Sequence, residues 1–447
     1  STGPSTGKKQ LMTYRVGIDI GGTFTDIVLL GPAGHTVTVK VPSTPTDYSL
    51  SIVGGLADAL AAQKLGGQDV EEVIHGTTVA TNAILEKRGV KTGLITTAGF
   101  RDVLEIRRLR MPRLYDLNWR KPEALAARAD RQEVEERVDS AGAVVRSLDE
   151  ATVRQAVAQL LENDVAAIAV TLLNAYANDS HERRILEIIR EADKDIPVCL
   201  SCDIHPEIKE YERTSTTVVN AYILPIVGRY LTQLASVLRG LGVTAPLRIM
   251  QSNGGTMGVE AAAERPVHII ESGPSAGVVG AAAIASKLGF DNVLTFDMGG
   301  TTAKAAMVEN GRFDRVGDLD VGAGINVAAR LLKGGGYHVS VPAIDIAEVG
   351  AGGGSLIRID AGGALSVGPE SAGAEPGPVC YDQGGTVPTV TDGNVVLGYI
   401  SPDYLVGGAL KLDSDRSADA IEEQIAKPLG VDVDEAAFGI HRVADAT

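Results

Sequence analysis

Several classes of protein are excluded by what this sequence has little of. It contains 3 cysteines in 447 residues, which are too few for a disulfide framework and are typical of a reducing compartment. Aromatic residues make up 4% of the chain, which argues against a protein that stacks nucleic-acid bases on aromatic side chains. No run reaches the roughly 18 consecutive apolar residues of a membrane-spanning helix. We therefore expect a cytoplasmic protein with no nucleic-acid and no membrane partner.

Positive charge is also in short supply. The chain has 41 Lys and Arg against 57 Asp and Glu, a formal net charge of −16, which disfavours binding to nucleic acid or to an anionic membrane surface. This acidity does not exclude a small anionic ligand, because backbone N–H groups bind phosphate locally. A hydrophobic content of 44% predicts a packed, folded chain.

Glycine, in contrast, is abundant, with 52 residues, and it separates strand-like from helix-like segments along most of the chain. This alternation predicts an α/β fold with mixed or parallel sheets covered by helices. The polar segment 1–13 is expected to be a tag or a disordered start. A change in composition near 202–212 predicts a boundary between a domain at 14–205 and a second domain at 206–447.

A short internal repeat is the most useful signal of organisation. The segments 16–23 and 294–301 each consist of an apolar strand, an aspartate and Gly-Gly-Thr, and each continues into a second apolar strand. Such glycines let the backbone approach a ligand closely, and successive N–H groups in the turn form an anion site. The two aspartates, Asp19 and Asp297, would hold a hydrated Mg²⁺, which binds one or two carboxylates, waters and phosphates.

The repeat therefore predicts two phosphate-binding turns that face each other across a cleft and clamp one nucleotide. The alternative is a pair of hairpins without a ligand. The candidate phosphate-binding residues of the two turns are Gly21, Gly22, Thr23, Thr25, Asp26, Gly299, Gly300, Thr301 and Thr302.

A third glycine-rich segment, 349–355, follows a predicted strand. Glycines there would allow a flat adenine and its ribose to approach the backbone, and the alternative is a flexible loop. The candidate adenosine-binding residues are Gly350, Gly352, Gly353 and Gly354. The chain lacks a Walker lysine pattern and a G-x-G-x-x-G that opens a helix, which disfavours the P-loop and Rossmann classes.

These turns and several further segments resemble the A-type subunits of the hydantoinase/oxoprolinase family, within the actin-like ATPase superfamily. The segments occur in the family's order: VGIDIGGTFTD (16–26), HGTTVATN (75–82), EYERTST (210–216), QSNGG (251–255), SGPSAG (272–277), FDMGGTTAK (296–304) and VGAGGGS (349–355). The resemblance implies two actin-like, ribonuclease H-like lobes with a nucleotide cleft between them. Family chains are typically longer, so we expect the second domain to be incomplete at its C-terminal end.

The resemblance also implies ATP and Mg²⁺ as cofactors and a partner subunit of B type. The expected activity is that of the ATP-dependent subunit of a cyclic-amide hydrolase, which activates the carbonyl oxygen by phosphorylation. The alternative is a subunit of an ATP-dependent ketone carboxylase of the acetone or acetophenone type. A non-enzymatic, actin-like nucleotide sensor is a third hypothesis.

Further candidate residues rest mainly on the family motifs. Lys304 occupies the position in the second turn that Asp26 occupies in the first; it would neutralise a phosphate or form a surface ion pair. His75 would contact substrate or phosphate, or be structural. The candidate substrate residues are Thr77, Thr78, Asn82, Asn253 and Gly254, although Asn-Gly is also a turn signal.

One cysteine-containing pattern, Cys199-x-x-Cys202-x-x-His205, resembles part of a zinc site. Metal sites usually need four ligands, and no second Cys/His pair lies nearby in the sequence. We therefore expect these residues to be structural. No G-x-S-x-G elbow or Ser-His-Asp spacing is visible, which disfavours a serine hydrolase.

Overall fold

A computed structural model describes residues 13–22, 24–44, 47–108, 119–322, 325–326, 335–373, 375–408 and 410–446. Thr23, a predicted phosphate ligand, lies outside the described residues.

The first lobe, residues 14–264, contains twelve of the described strands and eight α-helices. The strands are β1 Tyr14–Ile20, β2 Phe24–Leu30, β3 Thr36–Pro42, β4 Val70–Thr77, β5 Thr92–Thr97, β6 Arg131–Val134, β7 Arg137–Val138, β8 Val144–Arg146, β9 Ala167–Thr171, β10 Val198–Leu200, β11 Leu247–Met250 and β12 Thr256–Gly258. The helices are α1 Tyr48–Ala62, α2 Val79–Leu85, α3 Val103–Ile106, α4 Glu150–Glu162, α5 Ser180–Ala192, α6 Ser201–Ile204, α7 Glu210–Gly240 and α8 Val259–Glu264.

The second lobe, residues 272–446, begins with a helix and continues into short strands and a final group of helices. The strands are β13 Val293–Met298, β14 Ala303–Glu309, β15 Arg312–Phe313, β16 Arg315–Val316, β17 Leu319–Val321, β18 Ile325–Asn326, β19 Tyr337–Val339, β20 Ala343–Ile344, β21 Ala347–Val349, β22 Ser355–Ile359 and β23 Leu365–Ser371. The helices are α9 Ser272–Lys287, α10 Val390–Val396, α11 Ser414–Ile421, α12 Lys427–Leu429 and α13 Val433–Ala446, with a π-helical segment at Glu422–Ala426.

The main sheet of the first lobe has six strands in the order β12-β11-β4-β1-β2-β3. β1 pairs antiparallel with β2 and parallel with β4, and β11 is parallel to β4. Because side chains alternate across a strand, Val16, Ile18 and Ile20 of β1 point into the core, while Asp19 lies on the opposite face. The first predicted turn thus sits at the end of a strand that the core holds firmly.

A second sheet of the first lobe, β10-β9-β5-β6, is parallel throughout. Every residue of β5 and β9 is buried, as expected for a parallel sheet covered by helices on both faces. Residues of α4 and α5 share a buried cluster with one face, and residues of α7 share another cluster with the opposite face. The predicted α/β fold is confirmed.

The third sheet contains the second predicted turn. Its order is β13-β14-β21-β18, with β15 added to β14, and all of its pairs are antiparallel. β13, β14 and β21 repeat the antiparallel arrangement of β1, β2 and β3. The internal repeat of the sequence therefore appears as a repeated three-stranded unit.

The longest helix, α7, has 31 residues and is, within the described ranges, the one helix long and apolar enough to cross a membrane. Val227, Leu231 and Leu234 of this helix are fully buried in the largest core cluster. Packing inside the protein therefore accounts for its apolar character.

The sheets divide the chain later than the predicted boundary at 205/206. α7 lies in the core of the first lobe, and β11 and β12 extend its six-stranded sheet. β11 joins this sheet because it pairs in parallel with β4. The division by sheets therefore falls just before α9, and the composition change near 202–212 marks the approach to α7 instead.

Two glycines of the first lobe provide a matched test of how the turn at Gly67 packs against the segment that follows α7. A Cβ added at Gly67 would lie 2.3 Å from the backbone carbon of Gly242 and 2.4 Å from the carbonyl oxygen of Leu241. A Cβ added at Gly54, within α1, would meet no atom within 4 Å. We expect Gly67→Ala to lower the free energy of unfolding by about 1–3 kcal/mol and Gly54→Ala to raise it by about 0.5–1 kcal/mol. Urea denaturation measures both, and effects of the same sign would contradict the packing.

Candidate functional site

The two predicted turns have the same backbone geometry. The N–H of Gly21 donates to the carbonyl of Phe24, and the N–H of Gly299 donates to the carbonyl of Thr302, each at 2.9 Å. Within the hairpins Asp19 is paired with Asp26, and Asp297 is paired with Lys304 at the equivalent register. Across the described residues, the sequence repeat is thus also a repeat of strand pairing and of the hydrogen bond that closes the turn.

The electrostatics of Asp19 show that the hairpins lie close together. The pKa of Asp19 is raised to about 6, first by the loss of water around the carboxylate and then by the charges of Asp26 and Asp297. The Asp19 side chain is open to solvent on one side, but two backbone segments crowd its other sides. Asp26 and Asp297 therefore both lie close enough to Asp19 for their charges to raise its pKa.

Asp19 and Asp297 have no ion pair or hydrogen bond to any side chain within the described ranges, so both carboxylates are available to a cation. Across the same ranges, no group of three or more His, Cys, Asp or Glu side chains could hold a metal by itself. Mg²⁺ suits such a site, because it accepts one or two carboxylates and completes its shell with waters and phosphates. Two unpaired carboxylates thus fit Mg²⁺ better than a metal that needs a full protein cage.

Two glycine backbones crowd Asp19. A Cβ added at Gly273 would lie 2.9 Å from Asp19 Oδ1, and a Cβ added at Gly76 would lie 3.0 Å from the same atom. Gly273 belongs to the first turn of the 16-residue helix α9, whose N-terminal N–H groups and dipole favour an anion. Neither glycine was among the predicted site residues, although each stands in a quoted motif.

The start of α9 is fixed to the end of β4. The Ser272 hydroxyl accepts from the N–H of Thr77 at 3.1 Å and donates to the Thr77 carbonyl at 2.9 Å. The Thr77 hydroxyl, fully buried, accepts from the N–H of Val79 at 3.1 Å. Thr77 therefore joins strand to helix, and its side chain does not face the cleft.

Thr78 and Asn82, in contrast, lie beside the first turn. The Thr78 hydroxyl donates to the carbonyl of Ile20 at 3.1 Å, and the Asn82 amide donates to the Thr78 hydroxyl at 3.4 Å. A Cβ added at Gly22 would lie 4.0 Å from Asn82 Nδ2. The structure thus brings both predicted substrate residues to the hairpin.

The other polar residues of the first hairpin have partners within the protein. Asp26 forms an ion pair with Lys40 at 2.7 Å. The buried Thr25 hydroxyl is 3.0 Å from the Ser43 hydroxyl and 3.2 Å from that of Ser51, so it supports the turn from below. Thr25 was a predicted phosphate donor, and this placement does not support that role.

Lys304 lies in a buried cluster with two glutamates. Its ammonium group pairs with Glu271 and lies 3.4 Å from Glu348 Oε1. Burial and the charge of Glu271 raise the pKa of Glu348, and the Lys304 charge lowers the pKa of Asp19. Of the two alternatives for Lys304, phosphate neutralisation and a surface ion pair, the structure shows an ion pair. This ion pair is buried next to the hairpins and does not lie on the surface.

Glu271 has an unusual backbone. It is left-handed, with φ 60 and ψ 25, a conformation that costs energy for a residue with a side chain. Its N–H donates to the Thr81 hydroxyl of the first lobe at 3.0 Å, while its carboxylate pairs with Lys304 of the second lobe. Sequence reasoning missed Glu271 and Glu348; the only signal was the position of Glu271 directly before the SGPSAG motif.

The glycine-rich loop lies directly on the second turn. The N–H of Gly353 donates to the Gly299 carbonyl at 3.0 Å, and that of Gly354 donates to the Gly300 carbonyl at 2.7 Å. A Cβ added at Gly352 would lie 2.7 Å from the Gly300 carbonyl. Close backbone approach therefore requires glycine here, and the hydrogen bonds do not support a flexible loop. Gly350 stands at the start of this loop, and adenosine binding stays a prediction.

Two threonines complete the second turn. Thr301 is exposed at its tip, and the Thr302 hydroxyl interacts with Glu348. Thr301 is thus the threonine of this turn that is open to a ligand.

His75 lies in the core and away from the cleft. Its ring is fully buried, with Nδ1 3.2 Å from the Ile18 carbonyl and Nε2 2.6 Å from the Tyr230 hydroxyl. The carbonyl can only accept, so Nδ1 carries the proton and Nε2 accepts from Tyr230. Burial lowers the pKa of His75 to about 4. The placement is structural, and a catalytic role for His75 is not supported.

Asn253 and Gly254 form the turn between β11 and β12. The Asn253 side chain accepts from the N–H of Gly255 at 2.8 Å. Gly254 has φ 83, and a Cβ there would lie 2.9 Å from Val279 Cγ2. No hydrogen bond or ion pair joins either residue to the two hairpins within the described residues. The alternative interpretation, that Asn-Gly is a turn signal, therefore explains the positions of both residues.

The Cys199–His205 segment shows no metal-binding arrangement. Cys199 is buried and accepts from the Asn220 amide at 3.3 Å, and the N–H of Cys202 donates to the buried Glu182 at 3.0 Å. These contacts support the structural interpretation of the two cysteines.

Comparison with known proteins identifies the family. The model of the hydantoinase/oxoprolinase family matches residues 213–447, and that of the hydantoinase/oxoprolinase N-terminal region matches residues 15–193. The chain belongs to the hydantoinase/oxoprolinase family, as its motifs predicted.

Its relatives include enzymes with different reactions. The sequence is 42% identical over 435 residues to the alpha subunit of caprolactamase from Pseudomonas jessenii, covering 96% of this chain and 60% of that protein. The fold matches ATP-dependent acetone carboxylase, in its nucleotide-free structure, with a TM-score of 0.86, 32% identity, and coverage of 97% and 62% of the two chains. The ATP-dependent caprolactamase structure matches with a TM-score of 0.77 and 41% identity, covering 97% and 62%. This chain thus spans about three fifths of the length of these relatives.

The raised pKa of Asp19 predicts that its charge destabilises the ligand-free protein. The folded state binds a proton near pH 6, whereas the unfolded chain binds it near pH 3.8, so stability from this group rises as the pH falls from 6 to 3.8. We expect Asp19→Asn to raise the Tm at pH 7.5 and to have little effect at pH 4. Thermal melts at both pH values test this, with Asp58→Asn, an exposed change on α1, as the control. A lower Tm for Asp19→Asn at pH 7.5 would contradict the repulsion.

For His75 we expect the opposite pH dependence of the free energy of unfolding. Its folded pKa of about 4 lies below the ordinary value of 6.5, so its contribution is complete above pH 6.5 and is lost as the pH falls towards 4. The loss amounts to about 3 kcal/mol. Urea denaturation between pH 7.5 and 4.5 measures the slope, and His75→Gln is expected to flatten it. An unchanged slope in the variant would show that other groups cause it.

Proposed function

We propose that this chain is the ATP-dependent subunit of a cyclic-amide hydrolase and that it phosphorylates the carbonyl oxygen of its substrate. The observation that carries the proposal is the pair of matching hairpins whose carboxylates, Asp19 and Asp297, lie close enough to interact and have no ion pair among the described residues. Paired glycine turns and oxygen ligands are what a nucleotide with Mg²⁺ requires.

The chemistry explains why ATP would be used. An amide carbonyl is a poor electrophile, because the nitrogen lone pair is delocalised into it. When the carbonyl oxygen attacks the γ-phosphorus and ADP departs, the oxygen would become a phosphate ester and the carbon an activated electrophile. Water would then add to this carbon, and the C–N bond would break as the nitrogen takes up a proton, which leaves an acyl phosphate. A second water would hydrolyse the acyl phosphate to the carboxylate and inorganic phosphate. Such phosphoryl transfer depends chiefly on positioning and on neutralising charge.

The residues of the cleft supply both requirements. The turns at Gly21–Gly22 and Gly299–Gly300 would place their backbones against the phosphates, and the N-terminus of α9 favours negative charge at the same place. Asp19 and Asp297 would hold Mg²⁺, which neutralises phosphate charge when bound. Lys304, held between the two buried glutamates, lies close enough for its charge to lower the pKa of Asp19.

The relatives support both this proposal and its alternative. Sequence identity is 42% to the caprolactamase alpha subunit and 34% to the acetone carboxylase beta subunit of Xanthobacter autotrophicus, which favours the cyclic amide. The higher TM-score of acetone carboxylase favours a ketone carboxylase subunit, in which the same phosphorylation would activate an enol or bicarbonate oxygen.

Asp297 provides the sharpest test of the nucleotide site. We expect Asp297→Asn to reduce Mg·ATP turnover about 100-fold, because it removes a charge that stabilises the transferring phosphate, while the Tm stays unchanged or rises. Asp291→Asn, an exposed change just before the same strand, is the matched control. ATP loss in a coupled assay and a thermal melt give the two readouts. Near-normal turnover in a folded Asp297→Asn protein would contradict the metal role.

Assembly provides a second test. We propose a partner subunit of B type, since relatives are named as subunits of larger enzymes. With that partner present, we expect ATP consumption that depends on a lactam or hydantoin. Without it, we expect no amide product. Ketone plus bicarbonate forms the comparison assay and would identify the carboxylase alternative. Full product formation by this chain alone would overturn the two-subunit proposal, and nucleotide binding without turnover on any substrate would favour the sensor.

A further inference from the structure

A cavity opens beside the parallel sheet β10-β9-β5-β6, away from the two hairpins' own residues. Its walls come from three places: Leu104 and Arg107 at α3, Tyr211 and Ser215 of α7, and Tyr337 of β19. Together with its opening, the space is about 270 Å³, whereas drug-sized ligands need roughly 300–1,000 Å³. An occupant would therefore be a small molecule of a few non-hydrogen atoms.

The cavity lies at a point of this sheet where ligands are expected. In chain order β5 is the first strand, β6 is added on one side of it, and β9 and β10 are then added on the other. α3, which follows β5, shares a buried cluster with α7 on one face of the sheet, while α4 and α5 share a cluster on the opposite face. In open α/β sheets, ligands bind near the carboxyl ends of the strands at such a change of direction. The cavity lies there, between α3 and α7.

Arg107 brings a positive charge to the cavity. Its guanidinium donates to the Gly336 carbonyl at 3.1 Å and to the Pro122 carbonyl at 2.7 Å, and it lies 6.0 Å from the centroid of the Tyr337 ring. These two hydrogen bonds use two of its five N–H donors and fix the direction of the others. Among the described residues Arg107 has no ion pair. The charge is therefore held in place and left without a countercharge.

The backbone of Arg107 is also unusual. It has φ 56 and ψ −142, a conformation that costs free energy for a residue with a side chain and that clusters at ligand-binding sites. A helix end formed only for packing would be served by glycine at this position. The strain thus accompanies the one side chain that carries charge in the cavity wall.

Tyr211 adds a neutral hydrogen-bond donor next to Arg107. Burial raises the pKa of Tyr211, and the Arg107 charge lowers it, so the phenol and the guanidinium lie close together. The Ser215 hydroxyl, in contrast, donates to the His338 carbonyl at 2.6 Å, which leaves it only as an acceptor. Arg107 and Tyr211 are therefore the donors that converge on this part of the cavity.

Negative charge is missing from the cavity wall. No Asp or Glu is among the described residues that line it. Two acidic residues act on Tyr211 from nearby, and both have cationic or imidazole neighbours: Asp320 Oδ1 lies 3.1 Å from His338 Nδ1, and Glu212 accepts from Arg108 Nε at 2.8 Å. The charge balance of the wall therefore favours an anion.

The rest of the wall is apolar. It is formed by Leu104, Ala124, Leu125, Val218 and Val219. An inorganic anion such as phosphate would lie against these side chains without hydrogen bonds, which is unfavourable for a strongly hydrated ion. A ligand that fits both parts has a charged head for Arg107 and a short hydrocarbon body for the apolar wall.

We propose that this cavity binds a small monocarboxylate with a short hydrocarbon body. The carboxylate accepts N–H bonds from Arg107 and an O–H bond from Tyr211, and the body lies against Leu125 and Val218. Hydrogen bonds between a guanidinium and a carboxylate are among the strongest in proteins, because both groups are charged. This inference does not rest on the proposed function, since it concerns neither the nucleotide nor the hairpins.

Calorimetric titration with propionate tests the proposal, with propionamide as a neutral probe of nearly the same shape. At constant ionic strength, we expect propionate to bind with 1:1 stoichiometry and about tenfold more tightly than propionamide, because only propionate forms charge-assisted bonds. Arg107→Gln is expected to remove this preference. Arg239→Gln is the matched control: Arg239 also donates to a backbone carbonyl, that of Ala235 at 3.1 Å, but lies at the other end of α7. If Arg107→Gln does not fold, Tyr211→Phe, which keeps the ring, is expected to weaken propionate binding about fivefold.

Methyl NMR locates the ligand. We expect propionate to shift the methyl signals of Leu104, Leu125 and Val218, which line the cavity. Shifts confined to other parts of the chain would overturn the proposal, as would equal affinities for propionate and propionamide. The absence of any binding at about 20 mM propionate, or unchanged affinity in both Arg107→Gln and Tyr211→Phe, would also overturn it. None of these readouts depends on ATP turnover.

Discussion

The arrangement of this protein depends on holding two carboxylates, Asp19 and Asp297, near each other, with no ion pair to either of them among the described residues. Burial of the carboxylate, followed by the charges of Asp26 and Asp297, raises the pKa of Asp19. The buried side chains of β1 offset this unfavourable free energy on the first hairpin. They hold in place the strand whose end carries Asp19. A site that is unfavourable when empty is suited to a cation, since binding removes the repulsion.

The start of α9 connects the parts of this site. Gly273 closes on the Asp19 carboxylate, and Ser272 fixes the helix to the end of β4. Glu271 joins the lobes, because its backbone bonds to Thr81 and its carboxylate pairs with Lys304. Three consecutive residues therefore set the position of one hairpin relative to the other, and the left-handed backbone of Glu271 is the conformation that lets them do so.

The two lobes repeat one hairpin unit but differ in support. The first hairpin is flanked by β3 and β4, and one face of β1 packs into the core with residues of α1 and α7. The second hairpin rests on α9 and on the glycine-rich loop, while Leu294, Phe296 and Met298 of β13 are exposed. The second hairpin is thus less supported by packing among the described residues than the first.

Local sequence patterns determined the α/β fold, the repeated Asp-x-Gly-Gly-Thr hairpins and the family, because turn geometry and strand alternation depend on neighbouring residues. The tertiary structure alone decided the orientation of individual side chains. It placed His75 against Tyr230, turned the Asn253 side chain onto its own turn, and surrounded Lys304 with Glu271 and Glu348. Each of these outcomes depends on packing partners distant in the chain or on the path of the backbone, and a short motif carries no information about either.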